Sequence, residues 1–423
     1  MAKNRKMRRV VGLSLLIVLL AGCATSGREV STGTQIVVLW HTFAGAEAEA
    51  LQSLADHFNA GHRGKVVLIT EYQSDIVEKL AATTPEHYPD LVAIWPEDLS
   101  SFMRLGLTVG KSQWGTSLQE SLDDMLPMAE SLYNFGGELK ALPLGMATYL
   151  LYYNADWLGD LGYNTATAGW EDLRRAACAA SDPMADQLGL GMPAQPGILL
   201  AFLAAGGANI YENGNYQFAD QAGLQTASGL NEVLGGTCGY VDDNPGGSIL
   251  RLGNNSMAMI VESSLHHRDI EQAVIEGRNF TMGISPLPAA YGAGNTLWYG
   301  PGVMLIAPEG ARRDTALEAL AWFFSPEAQQ EWSLSTHYLS VRRSQLTMQL
   351  TLPTITPSEA RLCEIALQAA ERGTAIAWPP YTNMMACRAS LLRALLSLGG
   401  QSTPGAYIEA AATACNTGMR SQP

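Results

Sequence analysis

The feature that most restricts what this chain can fold into is an alternation near its amino terminus. TQIVVLW (34–40), KVVLITEY (65–72) and PDLVAIW (89–95) are rich in the branched and aromatic residues that suit a strand. Between them lie AEAEALQSLADHFNAG (46–61), an amphipathic helix pattern ended by Gly61, and SDIVEKLAATT (74–84), a second one. Strands separated by short helices build a largely parallel sheet covered on both faces, so the predicted class is α/β. Ligands of such sheets sit beyond the carboxyl ends of the strands. Those ends carry Trp40-His41, Tyr72-Gln73 and Trp95-Pro96-Glu97, so three strands bring an aromatic to one edge.

Further along, the chain reads ALPLGMATYLLYYNADWLGDLGY (141–163) and then TAGWEDLRRAACAA (167–180). NNSMAMIVESS (254–264), MGISPLP (282–288), TLWYGPGVMLIAP (296–308) and ALEALAWFFSPEAQQEWSLSTHYLSVRRSQ (316–345) come after these in order. In content, order and spacing these blocks resemble the extracellular solute-binding proteins of bacterial ABC importers, in the family 1 sugar-binding group that includes the maltodextrin-binding proteins. Two departures stand on the cleft side. Leu265-His266 follows Ser263-Ser264 where the family often has an aromatic, and Ser340 replaces a proline in the Tyr338–Arg342 segment.

The resemblance implies a two-lobe, type II periplasmic-binding-protein-like fold with hinge strands and a ligand closed between the lobes. It puts the crossings near 146–151, 287–299 and 339–345. Lobe one is then 34–146 plus 297–341, and lobe two is 147–296 plus 342–420. Hinge closure of this kind needs only a few residues to absorb the dihedral change.

A sugar offers a rim of hydroxyls and an apolar face of C–H bonds, so its site needs flat rings with polar groups around them. Trp40, Tyr72 and Trp95 at strand ends are candidates. So are Trp298 and Tyr299, beside Gly300-Pro301-Gly302 where a ligand could approach the backbone. Core packing is the competing role for each, and the expected one for Trp322 and Trp332 on helical stretches. His41, with Thr42, could donate to hydroxyls or cap the next helix. Glu97 is expected to face the ligand and Asp98 to cap the following helix. By the resemblance, Thr148 and its neighbour Tyr149 map to a ligand contact at the first crossover. Trp378 maps by position to the aromatic loops of lobe two. Ser263 and Ser264 could donate from lobe two or cap a helix. Arg251 and Arg268 could bind an anion, although solvation is their ordinary fate.

Catalytic constellations are missing from the sequence. It has no G-x-S-x-G elbow and no P-loop. No H-x-x-x-H occurs, so no metal site and no cofactor are expected. Asp123-Asp124 and Asp242-Asp243 are adjacent pairs in loop-like segments, the second before Asn244-Pro245-Gly246-Gly247 in what reads as a turn. A glycosidase needs two carboxyls facing each other across a bond. The resemblance implies a small carbohydrate as the ligand. A glycerol-phosphate-type ligand is the alternative within binding proteins, and a secreted glycan hydrolase the alternative outside them.

The first 22 residues have a basic head, a short apolar run (10–20) and a small-residue end, the pattern of an export signal. That run is too short to span a bilayer. Leu20-Ala21-Gly22-Cys23 resembles the bacterial lipobox, which implies lipid on Cys23, a tether over 23–33 and an extracytoplasmic, membrane-anchored location. Removing the leader leaves 401 residues, enough for two domains, and moves the formal charge from −14 to −19. Such acidity excludes nucleic acid as the main partner. ABC permease subunits are the partners implied, with the receptor a monomer. Of the five remaining cysteines, Cys178 and Cys238 are expected to pair because both fall in one domain. Among Cys363, Cys387 and Cys415 the choice stays open, although helices turning near Gly399-Gly400 would bring Cys387 level with Cys415.

Overall fold

The computed structural model describes residues 33–163, 169–289, 294–379, 384–400 and 403–417. The leader, Cys23 and the tether up to residue 32 lie outside the described residues. Two sheets organise the chain. The first has five strands in the order Val66–Tyr72, Gln35–His41, Leu91–Ile94, Gly302–Leu305, Leu142–Pro143. Gln35–His41 runs parallel to both of its neighbours, as the alternation predicts. Its residues from Val37 onward are buried on both faces. Helix Ala46–Gly61 covers one face with Ala50, Leu51, Leu54, Ala55 and Phe58, the three- and four-residue spacing of a single helical stripe.

The second sheet has seven strands, built around Ala147–Asn154. Met257–Ser263 pairs antiparallel along one edge of it. Met282–Pro286 and Thr296–Tyr299 share the other edge, also antiparallel. Leu188–Pro193 and Gly239–Asp242 extend the sheet on one side and Ala375–Ala377 on the other. Asp242 begins a turn, accepting from the Asn244 amide at 2.9 Å, which agrees with the sequence reading of that pair.

Three stretches meet where one sheet gives way to the other. Met146 and Leu339 exchange backbone hydrogen bonds of 3.0 and 2.9 Å, and the Leu144 amide donates to Pro301 at 2.8 Å. Gly300 has to be glycine here, because a Cβ would lie 2.1 Å from the Gly145 carbonyl oxygen. Thr296–Tyr299 is bonded into the second sheet, so the chain changes sheets at 300–302 rather than at residue 297.

Helices Ala311–Phe323 and Pro326–Thr336 return to the first sheet and its helix, and the later helices cover the second. Trp332 is buried, and Trp322 packs against the core with its indole N–H donating to the Leu54 carbonyl at 3.2 Å. Cys178 and Cys238 are bonded as expected, Cys387 is bonded to Cys415, a pairing the sequence left open, and Cys363 is a buried free thiol. Among the described residues no helix is long and apolar enough to cross a membrane.

Candidate functional site

A cavity of about 600 Å³ opens between the two sheets. The turn after strand Leu91–Ile94 builds its first-sheet wall. Trp95 ends that strand half-buried, its ring edge-on to Phe43 at 6.1 Å. The chain then turns over Pro96–Asp98, with the Asp98 amide donating to the Trp95 carbonyl at 3.0 Å. The Asp98 carboxylate accepts from the Trp95 amide at 3.4 Å, so it steadies this turn rather than capping the next helix. Glu97 is left pointing at the cleft with Asp75, Thr42 and Ser74 nearby in the lining.

Aromatic rings make the opposite wall. Tyr149, Tyr299 and Trp378 all line the cavity. The Tyr149 and Tyr299 rings lie 5.4 Å apart, and the Tyr299 and Trp378 rings meet edge-on at 5.9 Å. The Tyr299 hydroxyl shares a 2.5 Å hydrogen bond with Ser263 Oγ, which fixes the ring from behind. Gln195 adds an amide at the head of helix Pro196–Ala205, 3.5 Å from the Tyr149 hydroxyl. Arg388, from helix Met384–Ser397, completes the wall.

The charged groups meet across the gap. Arg388 Nη1 lies 3.5 Å from Glu97 Oε1. Burial, with the Asp98 charge adding to it, pushes the Glu97 carboxyl up to about 7 in spite of that guanidinium. Burial likewise pushes Asp98 up to about 6. Among the described residues no group of three or more histidine, cysteine or acidic side chains could hold a metal.

Of the residues singled out from the sequence, the cleft brings together Trp95, Glu97, Tyr299 and Trp378. The others have different work. Trp40 is only 5% exposed; its indole N–H donates to Glu71 at 2.8 Å and the Lys79 ammonium stands over its ring. His41 is buried between Phe43 and Tyr72, and burial lowers its pKa. Tyr72, 61% exposed, stands on the outermost strand. Trp298 is fully buried, its indole N–H donating to Thr296 Oγ1 at 2.8 Å. Thr148 is buried, with its hydroxyl donating to the Leu297 carbonyl at 2.8 Å. Ser263 sits behind Tyr299. Ser264 accepts from the Thr148 amide and borders a second, smaller cavity of about 270 Å³ beside His267 and Cys363. Arg251 pairs with Asp186 and Arg268 with Glu359, both away from the cleft.

Asp75, Gln195 and Arg388 were not singled out from the sequence. Tyr149 was mentioned beside Thr148, and strand alternation puts the two on opposite faces; the one facing the cleft is Tyr149. Asp75 and Gln195 each precede a helix and read as ordinary cap positions, and nothing local marks Arg388.

The profile of the bacterial extracellular solute-binding proteins matches residues 53–350 of this chain. The chain belongs to that family. A maltotriose-binding protein of Pyrococcus abyssi (strain GE5 / Orsay) is 25% identical over 328 residues, which cover 74% of this chain and 68% of the relative. The sugar-binding protein MalE from Xanthomonas citri superposes with a TM-score of 0.75 at 18% identity, over 91% of this chain and 98% of that one. The cyclic alpha-maltosyl-1,6-maltose binding protein from Arthrobacter globiformis gives a TM-score of 0.73 at 19% identity, over 92% and 100%. The fold of this solute-binding protein is accordingly the two-lobe, maltose-binding type, with the cavity lying between the lobes.

Proposed function

We propose that this protein is the receptor of an ABC importer, capturing a neutral carbohydrate between its lobes and presenting it to a membrane permease. The observation that carries the reading is the cleft wall. Tyr149, Tyr299 and Trp378 offer a cluster of tilted and edge-on rings for the apolar face of a sugar, and Trp95 offers another from the facing lobe. Glu97, Asp98, Asp75, Gln195 and Arg388 supply donors and acceptors for its hydroxyls. The Pyrococcus abyssi relative, a maltotriose-binding protein, supports the same ligand class.

No bond is made or broken in this account, and the protein is not an enzyme. Ligand contacts from both walls favour the closed arrangement, and the permease distinguishes closed from open. Lobe one comprises 34–146 plus 300–341 and lobe two 147–299 plus 342–420, the change at residue 300 following the pairing of Thr296–Tyr299. Residues 1–22 are an export signal. Cys23 carries lipid that holds a monomeric receptor at the outer face of the cell membrane through the tether over 23–33, raising its effective concentration near the permease.

A thermal-shift screen of the protein starting after Cys23, against neutral sugars, polyols and glycerol phosphates, tests the reading. A ligand at a hundred times its Kd adds about 2.7 kcal/mol of stability. Stabilisation by a neutral sugar such as maltotriose is expected. Stabilisation by glycerol phosphates alone would replace carbohydrate with the anionic ligand class, and no shift with any sugar overturns the proposal.

A further inference from the structure

We propose that Glu97 makes this cleft refuse anionic carbohydrates, by pairing across the gap with the guanidinium that would otherwise receive a phosphate or carboxylate. The inference deepens the carbohydrate reading and rests on it.

Guanidinium is the side chain best suited to bind phosphate and carboxylate groups, through two parallel hydrogen bonds. Among the described residues lining the cleft, Arg388 is the one cation. It comes from the second lobe, on helix Met384–Ser397, which packs against helix Pro196–Ala205. Glu97 comes from the first lobe, in the turn after strand Leu91–Ile94, and meets Arg388 at 3.5 Å. The positive charge therefore already has a partner. The remaining charged groups of the lining are Asp75, which accepts from the Glu78 amide at 2.8 Å, and Asp98, which accepts from the Trp95 amide at 3.4 Å. Both are acceptors and repel an anion. Hydroxyls suffer neither obstacle, since they donate to carboxylates and accept from a guanidinium. Selectivity then arises from a repulsive arrangement as much as from an attractive one.

Isothermal titration of maltose and maltose 6′-phosphate at pH 8 tests this, since Glu97 and the phosphate are both ionised there. Wild-type protein is expected to prefer maltose by at least a hundredfold. In Glu97→Gln the preference should shrink at least tenfold, because Arg388 is released. In Glu97→Gln with Arg388→Met that gain for the phosphate should disappear. Melting curves of each variant confirm that it is folded. Maltose binding with an unchanged preference in Glu97→Gln overturns the filter alone, as does wild-type protein that binds both compounds equally. Wild-type protein that binds neither compound overturns the filter, and the carbohydrate reading falls with it when the thermal-shift screen finds no other sugar that binds.

Discussion

The Trp378 amide donates to the Trp298 carbonyl at 2.7 Å, so one tryptophan hangs from the strand that buries the other. Trp298 sits in the second sheet with no exposure, and Trp378 presents its ring to the cleft. The two should answer substitution differently. Trp298→Ala removes a core ring and is expected to lower stability by about 3–5 kcal/mol. Trp378 is 8% exposed, so Trp378→Ala should cost stability as well and, in addition, weaken sugar binding by about 1–2 kcal/mol. Denaturant titration beside calorimetric binding separates the two effects, and unchanged sugar affinity in a folded Trp378→Ala protein would contradict the assignment.

The Glu97 carboxyl has an ordinary value of 4.5 and is raised to about 7 in the fold. Between those values the unfolded chain has lost the proton that the folded one still holds. Stability is therefore full below about 4.5 and declines as pH rises towards 7. Glu97→Gln should remove that part of the decline, while Asp98, raised to about 6, keeps its own share. Melting temperatures from pH 4 to 8 would show the variant's curve flatter than the wild type's. Parallel curves would mean that Glu97 titrates normally.

Gly197 is the second residue of helix Pro196–Ala205, beside the aromatic wall, where a Cβ would lie 2.4 Å from the Tyr149 hydroxyl and 2.8 Å from the Trp378 ring. Alanine favours helix by up to about 1 kcal/mol, so Gly197→Ala should leave stability near the wild-type level. Displacing two cleft rings should nonetheless reduce affinity roughly tenfold, by analogy with the 1–3 kcal/mol of overpacking. Unchanged affinity would show that the rings are not where the sugar stacks.

Cys178 and Cys238 are joined across a sequence separation of 60 residues. A loop of that length corresponds to about 4 kcal/mol on a chain-entropy model. Replacing both cysteines by serine is expected to lower unfolding free energy by about 2–4 kcal/mol. In the oxidised protein starting after Cys23, mass analysis with alkylation should find four cysteines protected until reductant is added. Cys363 should label slowly, because burial holds its thiol up to about 12.

The lobes were legible because strand alternation and the order of motifs depend on local chemistry and spacing. Parallel register does bring the ends of Gln35–His41 and Val66–Tyr72 level, pairing His41 with Tyr72. What the sequence lacks is the order of strands across the sheet. Of these three early strands, Leu91–Ile94 is the one beside the returning strand Gly302–Leu305, near the other lobe, while Val66–Tyr72 is outermost. So Trp95 reaches the cleft, Tyr72 faces solvent, and Trp40 is held by Glu71. Thr148 and Tyr149 were both expected at the ligand, but one strand sends them to opposite faces, so Tyr149 lines the cleft and Thr148 is buried. Arg388 was out of reach, since its place depends on how a late helix docks against residues nearly two hundred positions earlier.

Cys387, the residue immediately before Arg388, is bonded to Cys415 on the neighbouring helix. That staple forms in oxidising surroundings and is kept open by the thiol reductants of the cytoplasm. Closed, it ties the helix that carries Arg388 to its neighbour by a covalent bond one residue from the guanidinium, so the cation of the far wall stands on a stapled support and not on packing alone.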